Sequence, residues 1–388
     1  MNNLFDNTDI AFSLKSDSEL ERAYFLFRLI KSEPLVRMGT AVTKFALKSS
    51  LPVEGLIRST VFDHFCGGVN ETDCMPIIDR MYEKGVHSVL DFSVEGKEEE
   101  EEFNNALSRI LTIIRFVDKK NAMPFAVFKP TGFGRIDLYR KIGEGENLTE
   151  SEIREWKRLK NRFDKAAKAC YEKDICLLID AEESWMQKAA DDLVEELMEK
   201  YNKEKVIVFG TLQLYRHDRF EYLLDLHHRA KQKGYKIGMK LVRGAYMEKE
   251  RERAEKLGYP DPICASKQLT DENFNKVLTY MFEHLEDMSI FCGTHNEESS
   301  YIFMDLINAS KYDKNDSRLW FGQLFGMSDN ISFNLADAGF NVAKYLPFGP
   351  VKDVMPYLIR RAEENTSVAG QTTRELDLIS KEKKRRKL

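Results

Sequence analysis

At 388 residues, with 43% hydrophobic and 32% charged residues, the chain has the make-up of a globular protein that buries a sizeable core, and its body is too apolar for intrinsic disorder. A net charge of −5 excludes a protein that works by general attraction to nucleic-acid phosphates. The six cysteines lack CxxC spacing, the N-terminus lacks a signal peptide's apolar stretch, and no apolar run reaches the roughly eighteen residues of a membrane span. These features point to a reducing cytoplasm.

Taken in chain order, Ser16-Asp17-Ser18 reads as a helix cap, followed by a helical pattern through Ala23, Phe25, Leu26 and Leu29. After Pro34 a second apolar-periodic stretch runs to Lys48, so residues 1–54 are predicted to form an arm of two helices. From about residue 85, short apolar runs alternate with long stretches of helical period, the pattern of a parallel sheet with crossover helices. The runs are Ser88–Phe92, Pro124–Phe128, Ile175–Ile179, Val206–Leu212, Ile237–Val242, Ser289–Gly293, Leu319–Leu324 and Asn341–Leu346. Between them, Ser151–Lys173, Trp185–Tyr201, Arg219–Lys233 and Thr270–Leu285 have the length and one-sided polarity of outer helices. Eight such units close an α/β barrel of the (βα)8, TIM-like kind, here assigned to residues 55–369. Glu98–Glu102 reads as the solvated opening of a helix. The segment 370–388, carrying Lys381-Glu-Lys-Lys-Arg-Arg-Lys387, is expected to be a solvated, disordered basic tail, with contact to anionic lipid as the alternative.

The apolar runs stop at polar groups: Lys129, Asp180, Gln213, Arg243, His295, Gln323 and Tyr345. In a barrel those strand ends form the face where active sites are built. Strands also simply run into polar loops, so each residue alone is uninformative. Past the eighth run, Tyr357, Arg360, Arg361 and Glu364 share one face of a helix. Two adjacent guanidinium groups suit a small carboxylate between them, but the same spacing describes a solvated charged face, and the pattern alone favours that. Gly244, after Lys240 and Arg243, would let backbone approach a flat or phosphorylated ligand, or would serve only as a turn. Glu182 and Glu183 are expected in the first turn of the next helix, with Asp180 facing the barrel mouth. No metal-ligand spacing, P-loop or strand-linked nicotinamide fingerprint occurs.

In order along the chain, Phe128-Lys-Pro-Thr-Gly132, Asp180-Ala-Glu-Glu183, Gln213-Leu-Tyr215, Lys240–Tyr246, Thr294-His-Asn296, Tyr345-Leu-Pro-Phe-Gly349 and Tyr357–Asn365 resemble the motifs of the proline dehydrogenase family. The resemblance runs from residue 55 to about 367, and it overturns the solvated-face reading of the arginine helix. It implies a distorted barrel with FAD on its C-terminal face and the last helix over the mouth. It also implies that Arg360, Arg361 and Lys129 bind the carboxylate of L-proline, that Tyr345, Tyr357 and Leu324 pack around the ring, and that Asp180 fixes the pocket. The flavin contacts carried over are Gln213, Lys240, Val242, Arg243, Ala245 and Tyr246, with Thr294, His295, Asn296 and Glu364. The implied reaction is hydride transfer to the flavin, giving Δ1-pyrroline-5-carboxylate, the first step of proline catabolism to glutamate. A quinone would accept the electrons, and the basic tail would serve a peripheral contact at the inner face of the membrane.

One departure stands out: relatives usually place a gating Glu where this chain has Val69, and either Glu71 substitutes for it through a shifted loop or the gate is looser. Two other readings share the barrel. One is 4-hydroxyproline dehydrogenase, which the bulk of Tyr345 opposes; the other is a non-catalytic, membrane-associated binding protein. The second oxidation is expected to belong to a separate pyrroline-carboxylate dehydrogenase.

Overall fold

The structure is a computed structural model that describes residues 3–31, 55, 58–92, 98–367 and 371–388. Eight parallel strands close in sequence order into one barrel: β1 Val86–Phe92, β2 Phe125–Phe128, β3 Cys176–Ile179, β4 Val208–Gln213, β5 Ile237–Val242, β6 Met288–Gly293, β7 Leu319–Leu324 and β8 Val342–Phe348. The described helices before β1 are α1 Thr8–Ala11, α2 Asp17–Ile30, α3 Asp63–Phe65 and α4 Glu71–Tyr82. Those between strands are α5 Glu100–Val117, α6 Ile136–Glu144, α7 Glu150–Lys173, α8 Ser184–Tyr201, α9 Arg219–Lys233, α10 Met247–Leu257, α11 Lys267–Glu283, α12 Glu297–Asn308 and α13 Asp329–Asp337. Two helices follow the barrel, α14 Val351–Ser367 and α15 Gln371–Arg386.

The chain divides into two compact units, Gly96–Gly322 and the pairing of Met1–Glu95 with Gln323–Leu388. In the first, the strand interior is filled by aromatic rings. Phe125 of β2 meets Phe209, Phe291 and Trp320 edge-on, with ring centroids 6.2, 5.2 and 4.9 Å away. Phe125, Phe209 and Phe291 come from alternate strands, which is how a small parallel barrel fills its interior. Gly322 on β7 makes room, since a Cβ there would lie 2.1 Å from the Phe291 ring. The flanking helices start where local chemistry says they should. At Thr149 a capping box forms, with Glu152 N–H donating to the hydroxyl at 3.3 Å and the Glu152 carboxylate accepting Thr149 N–H at 2.8 Å. Glu100 opens α5 but is not merely solvated, for it binds Arg158 at 2.7 Å and also Arg162.

In the second unit β1 and β8 pair in register from Val86 with Val342 to Phe92 with Phe348. Ser16 caps α2 through a capping box with Glu19. The buried face of α2 is Leu20, Ala23, Leu26, Phe27 and Ile30, whereas Phe25 and Leu29, expected on the apolar stripe, are exposed. The second predicted arm helix lies outside the described residues. The C-terminal segment corrects the expectation of a disordered tail: α15 packs Leu378 and Ile379 with Ala11, Phe12, Leu20, Ala23 and Phe27. Its cations are engaged with the N-terminal segment, Lys383 with Glu21 at 2.7 Å, Arg385 with Asp9 at 2.6 Å and Arg386 with Asp17 at 3.1 Å. Part of the charge on which a lipid contact was expected to rest is therefore paired with carboxylates of the N-terminal segment. Among the described residues no helix is long and apolar enough to cross a membrane.

Candidate functional site

Within residues 96–322 the chemistry gathers just past the C-terminal ends of β2 and β3 and on β5. Lys129 follows β2, Asp180 follows β3 and Lys240 points from β5. Asp180 is hydrogen-bonded to Lys240, and its other oxygen is 3.8 Å from the Lys129 ammonium. One carboxylate thus orients two cations, one after β2 and one on β5. Gln213 ends β4, is 3% exposed and donates its amide to the Glu182 carbonyl at 2.8 Å. Its side-chain oxygen is buried with no hydrogen-bond partner among the described residues.

Beyond β5 and β6, Arg243 lies over Phe274, 4.5 Å from the ring centre, and is gripped by Asp271 at 2.7 Å. It donates to the Thr294 hydroxyl at 2.8 Å, so Arg243 and Thr294 are brought together as one polar shelf. Asn296 accepts Ser299 N–H at 2.9 Å and caps α12, so its side chain has a structural duty as well. His295 is half-buried beside it, Val242 and Tyr246 are likewise half-buried, and Ala245 is exposed.

Gly244, at φ +137°, is glycine for packing as well as for conformation, because a Cβ there would meet the Tyr215 ring at 2.5 Å. One sequence reading changes here. Glu182 does not sit on the first turn of α8. It is buried and accepts the N–H and hydroxyl of Thr131 at 2.8 and 2.7 Å, tying β3 to the loop that carries Lys129. Burial pushes its carboxyl up to about 7, against the pull of the Thr131 donors. The sequence signal was the Asp180–Glu183 carboxylate run itself; which member turns inward is a matter of loop geometry.

Within the other unit, Leu324 ends β7 and Tyr345 lies in β8, whose carbonyl accepts Phe325 N–H at 2.8 Å. Leu324 and Val69 pack against a buried cluster whose members include Phe65, Met355, Leu358 and Tyr357. On α14 the Arg361 guanidinium lies over the Tyr357 ring at 5.3 Å, and Arg360 is half-buried beside it. The side chain of Glu364 lies outside the described residues. Glu71 is buried at the start of α4. Gln323, counted with the polar strand ends, instead accepts from Ser332 on α13 at 2.9 Å, away from the mouth, because side chains alternate along a strand and Leu324 takes the opposite direction.

The ordered set of polar strand ends on a parallel eight-stranded barrel coincides with a family profile. The profile described as proline dehydrogenase matches residues 74–374. The chain belongs to the proline dehydrogenase family. It is 31% identical to "Proline dehydrogenase 1, mitochondrial" of Dictyostelium discoideum, over 99% of this chain and 76% of that one. It is 32% identical to "Carbapenem antibiotics biosynthesis protein CarD" of Pectobacterium carotovorum subsp. carotovorum, over 90% of this chain and 91% of the relative. The crystal structure of proline utilization A (PutA) from Bdellovibrio bacteriovorus matches with a TM-score of 0.71 at 21% identity, over 95% of this chain. This protein spans 37% of that PutA chain, and the likeness concerns the fold. Lys129, Asp180, Gln213, Lys240, Arg243, Thr294, Tyr345, Tyr357, Arg360 and Arg361 all fall inside the part that the proline dehydrogenase profile covers.

Proposed function

We propose that this protein oxidises L-proline to Δ1-pyrroline-5-carboxylate, with FAD as the resident hydride acceptor and a quinone as the final one. The observation that carries the reading is Asp180 bridging Lys129, which follows β2, and Lys240 of β5, inside a chain of the proline dehydrogenase family.

A flavin fits the residues present. The buried, unsatisfied oxygen of Gln213 suits a ring N–H, since leaving it bare costs about 1–3 kcal/mol. Lys240 and Arg243 supply cationic groups for phosphates and for the charge of a reduced ring, and Val242, Ala245, Tyr246, Thr294, His295, Asn296 and Glu364 complete the proposed set. When bound, the flavin accepts a hydride from carbon. The protein's part is binding and orientation. Lys129, Arg360 and Arg361 are proposed to hold the carboxylate by charge-assisted bonds, which fixes the ring's reacting carbon in place. Leu324, Tyr345 and Tyr357 exclude water from around the ring, and Asp180 keeps the two lysines oriented. Glu71 is proposed to stand in for the missing gate at Val69. The product's further oxidation falls to a separate pyrroline-carboxylate dehydrogenase.

The test is an anaerobic absorbance titration. The purified protein should be yellow and bleach on adding L-proline, and Arg361→Met should keep the colour while needing at least about a hundredfold more proline. A colourless protein, or bleaching unchanged by the substitution, rules the reading out. Turnover on 4-hydroxyproline equal to that on proline would move the substrate assignment, since Tyr345 is proposed to close the space for a ring hydroxyl.

A further inference from the structure

The connection from β7 to α13, Phe325–Ser328, is gripped from four directions. The buried His64 of α3 donates to the Gly326 carbonyl at 3.0 Å, where φ is +79° and a Cβ would lie 2.3 Å from the His64 carbonyl oxygen. Lys344 of β8, 1% exposed in its side chain, donates to the Met327 carbonyl at 2.7 Å and pairs with Asp329 at 2.8 Å. Lys15, in the turn before α2, reaches the same Asp329 at 3.1 Å. The fourth grip comes from the far end of the chain. Glu375 of α15, 5% exposed, accepts the backbone N–H of Ser328 at 2.5 Å.

Ser328 needs that grip. It is a non-glycine residue at φ 50°, ψ 44°, a left-handed conformation that is strained for an L side chain and persists only when its surroundings enforce it. Leu324 stands at the head of this connection and packs in the cluster with Tyr357. We propose that Glu375 is a positioning residue for substrate binding: by holding the Ser328 amide it fixes the β7–α13 connection, and through it Leu324, against the arginine helix. The inference rests on the proposed role of Leu324 beside the proline ring.

The charge on Glu375 sets the strength of the hold. Burial and the nearby Asp329 push its carboxyl up to about 7, while the Ser328 amide, Lys344 and Lys15 pull it down. His64 stays neutral near that pH, since burial holds its imidazole at about 3. Asp329 stays ionised, because Lys15 and Lys344 outweigh its burial. Of the two carboxylates in this cluster, Glu375 is therefore the one whose charge changes near neutrality. Its bond to Ser328 is charge-assisted above that point and roughly half as strong below it.

The experiment uses the full chain as Glu375→Ala and the isosteric Glu375→Gln, with two readouts. In steady-state oxidation of L-proline at about pH 8, KM should rise about tenfold in both variants while kcat stays within about twofold. For Glu375→Gln the ratio of variant to wild-type KM should then fall toward unity by about pH 6, as wild-type Glu375 takes up its proton, while Glu375→Ala, which has no acceptor for Ser328, should stay above it. Amide hydrogen exchange at Ser328 at about pH 8 should quicken at least about tenfold in both variants. A KM ratio of one throughout, a loss confined to kcat, or unchanged exchange at Ser328 each overturns the proposal. If the wild-type protein does not oxidise proline, the functional reading fails; exchange at Ser328 then decides the hold by itself, acceleration supporting it and no change refuting it.

Discussion

Glu182 keeps a proton at pH values where an ordinary glutamate has lost it, and that has a thermodynamic consequence. The unfolded chain ionises this carboxyl near 4.5, whereas in the folded protein burial raises it to about 7. Folding then favours the protonated form, so its stabilising contribution is full below about pH 4.5 and is lost as pH climbs to about 7. At about 1.4 kcal/mol per unit, the loss is on the order of 3 kcal/mol. Glu182→Gln keeps an acceptor for Thr131 N–H and cannot ionise. Its melting temperature relative to wild type should therefore climb between about pH 5 and pH 8, by several degrees for a chain this long. A difference that stays flat over that interval would show that Glu182 is ionised in the fold. Gly244 makes a second residue-level case. Gly244→Ala would force a side chain at φ +137° into the Tyr215 ring, so it should destabilise by at least about 2 kcal/mol in urea denaturation.

At the scale of elements, the barrel was legible because strands and helices announce themselves locally. The runs Ile237–Val242 and Leu319–Leu324 and the helix Arg219–Lys233 coincide with β5, β7 and α9 residue for residue. The ends of β1 and β8 extend further than the apolar runs: His87 interrupts one, and Pro347 falls near the end of the other. What the pattern does not carry is which strand residue faces which way once a strand ends, and Gln323 shows it. It was grouped with the mouth residues but turns to α13. Lys344 was invisible for the opposite reason: a charged residue in an apolar run has no local partner, and its carboxylate, Asp329, belongs to the preceding helix. This pair holds β8 to α13. Breaking it by Asp329→Asn should cost about 3–5 kcal/mol, because it leaves the buried Lys344 charge without its carboxylate, and Lys344→Met should cost less, because Lys15 still pairs with Asp329. The double variant, with both charges gone, should lose less than the two single losses combined, and equality with their sum in chemical denaturation would show the pair to be uncoupled.

For the molecule as a whole, the decisive contacts lie between residues that the sequence separates most. The basic run at the C-terminus looked solvated because its acidic partners, Asp9, Asp17 and Glu21, sit at the other end of the chain. Arg386 adds hydrogen bonds to the Phe12 and Lys15 carbonyls at 2.8 and 2.7 Å, so α15 closes the N-terminal segment from beginning to end. Exposed ion pairs of this kind contribute little singly. The stabilisation comes instead from burying Leu378 and Ile379 against Phe12, Leu20 and Phe27, at roughly 1.5–3 kcal/mol for each fully covered side chain. Deleting residues 371–388 should therefore lower the melting temperature and quicken amide exchange in residues 3–31 and 325–329, by at least about tenfold. Exchange within β4, β5 and β6, whose pairing partners all lie between Gly96 and Gly322, should stay at the wild-type rate. The contrast separates a local fastening from a general loss of fold: if β5 exchanges faster by the same factor as residues 3–31, α15 stabilises the whole barrel rather than the chain's two ends.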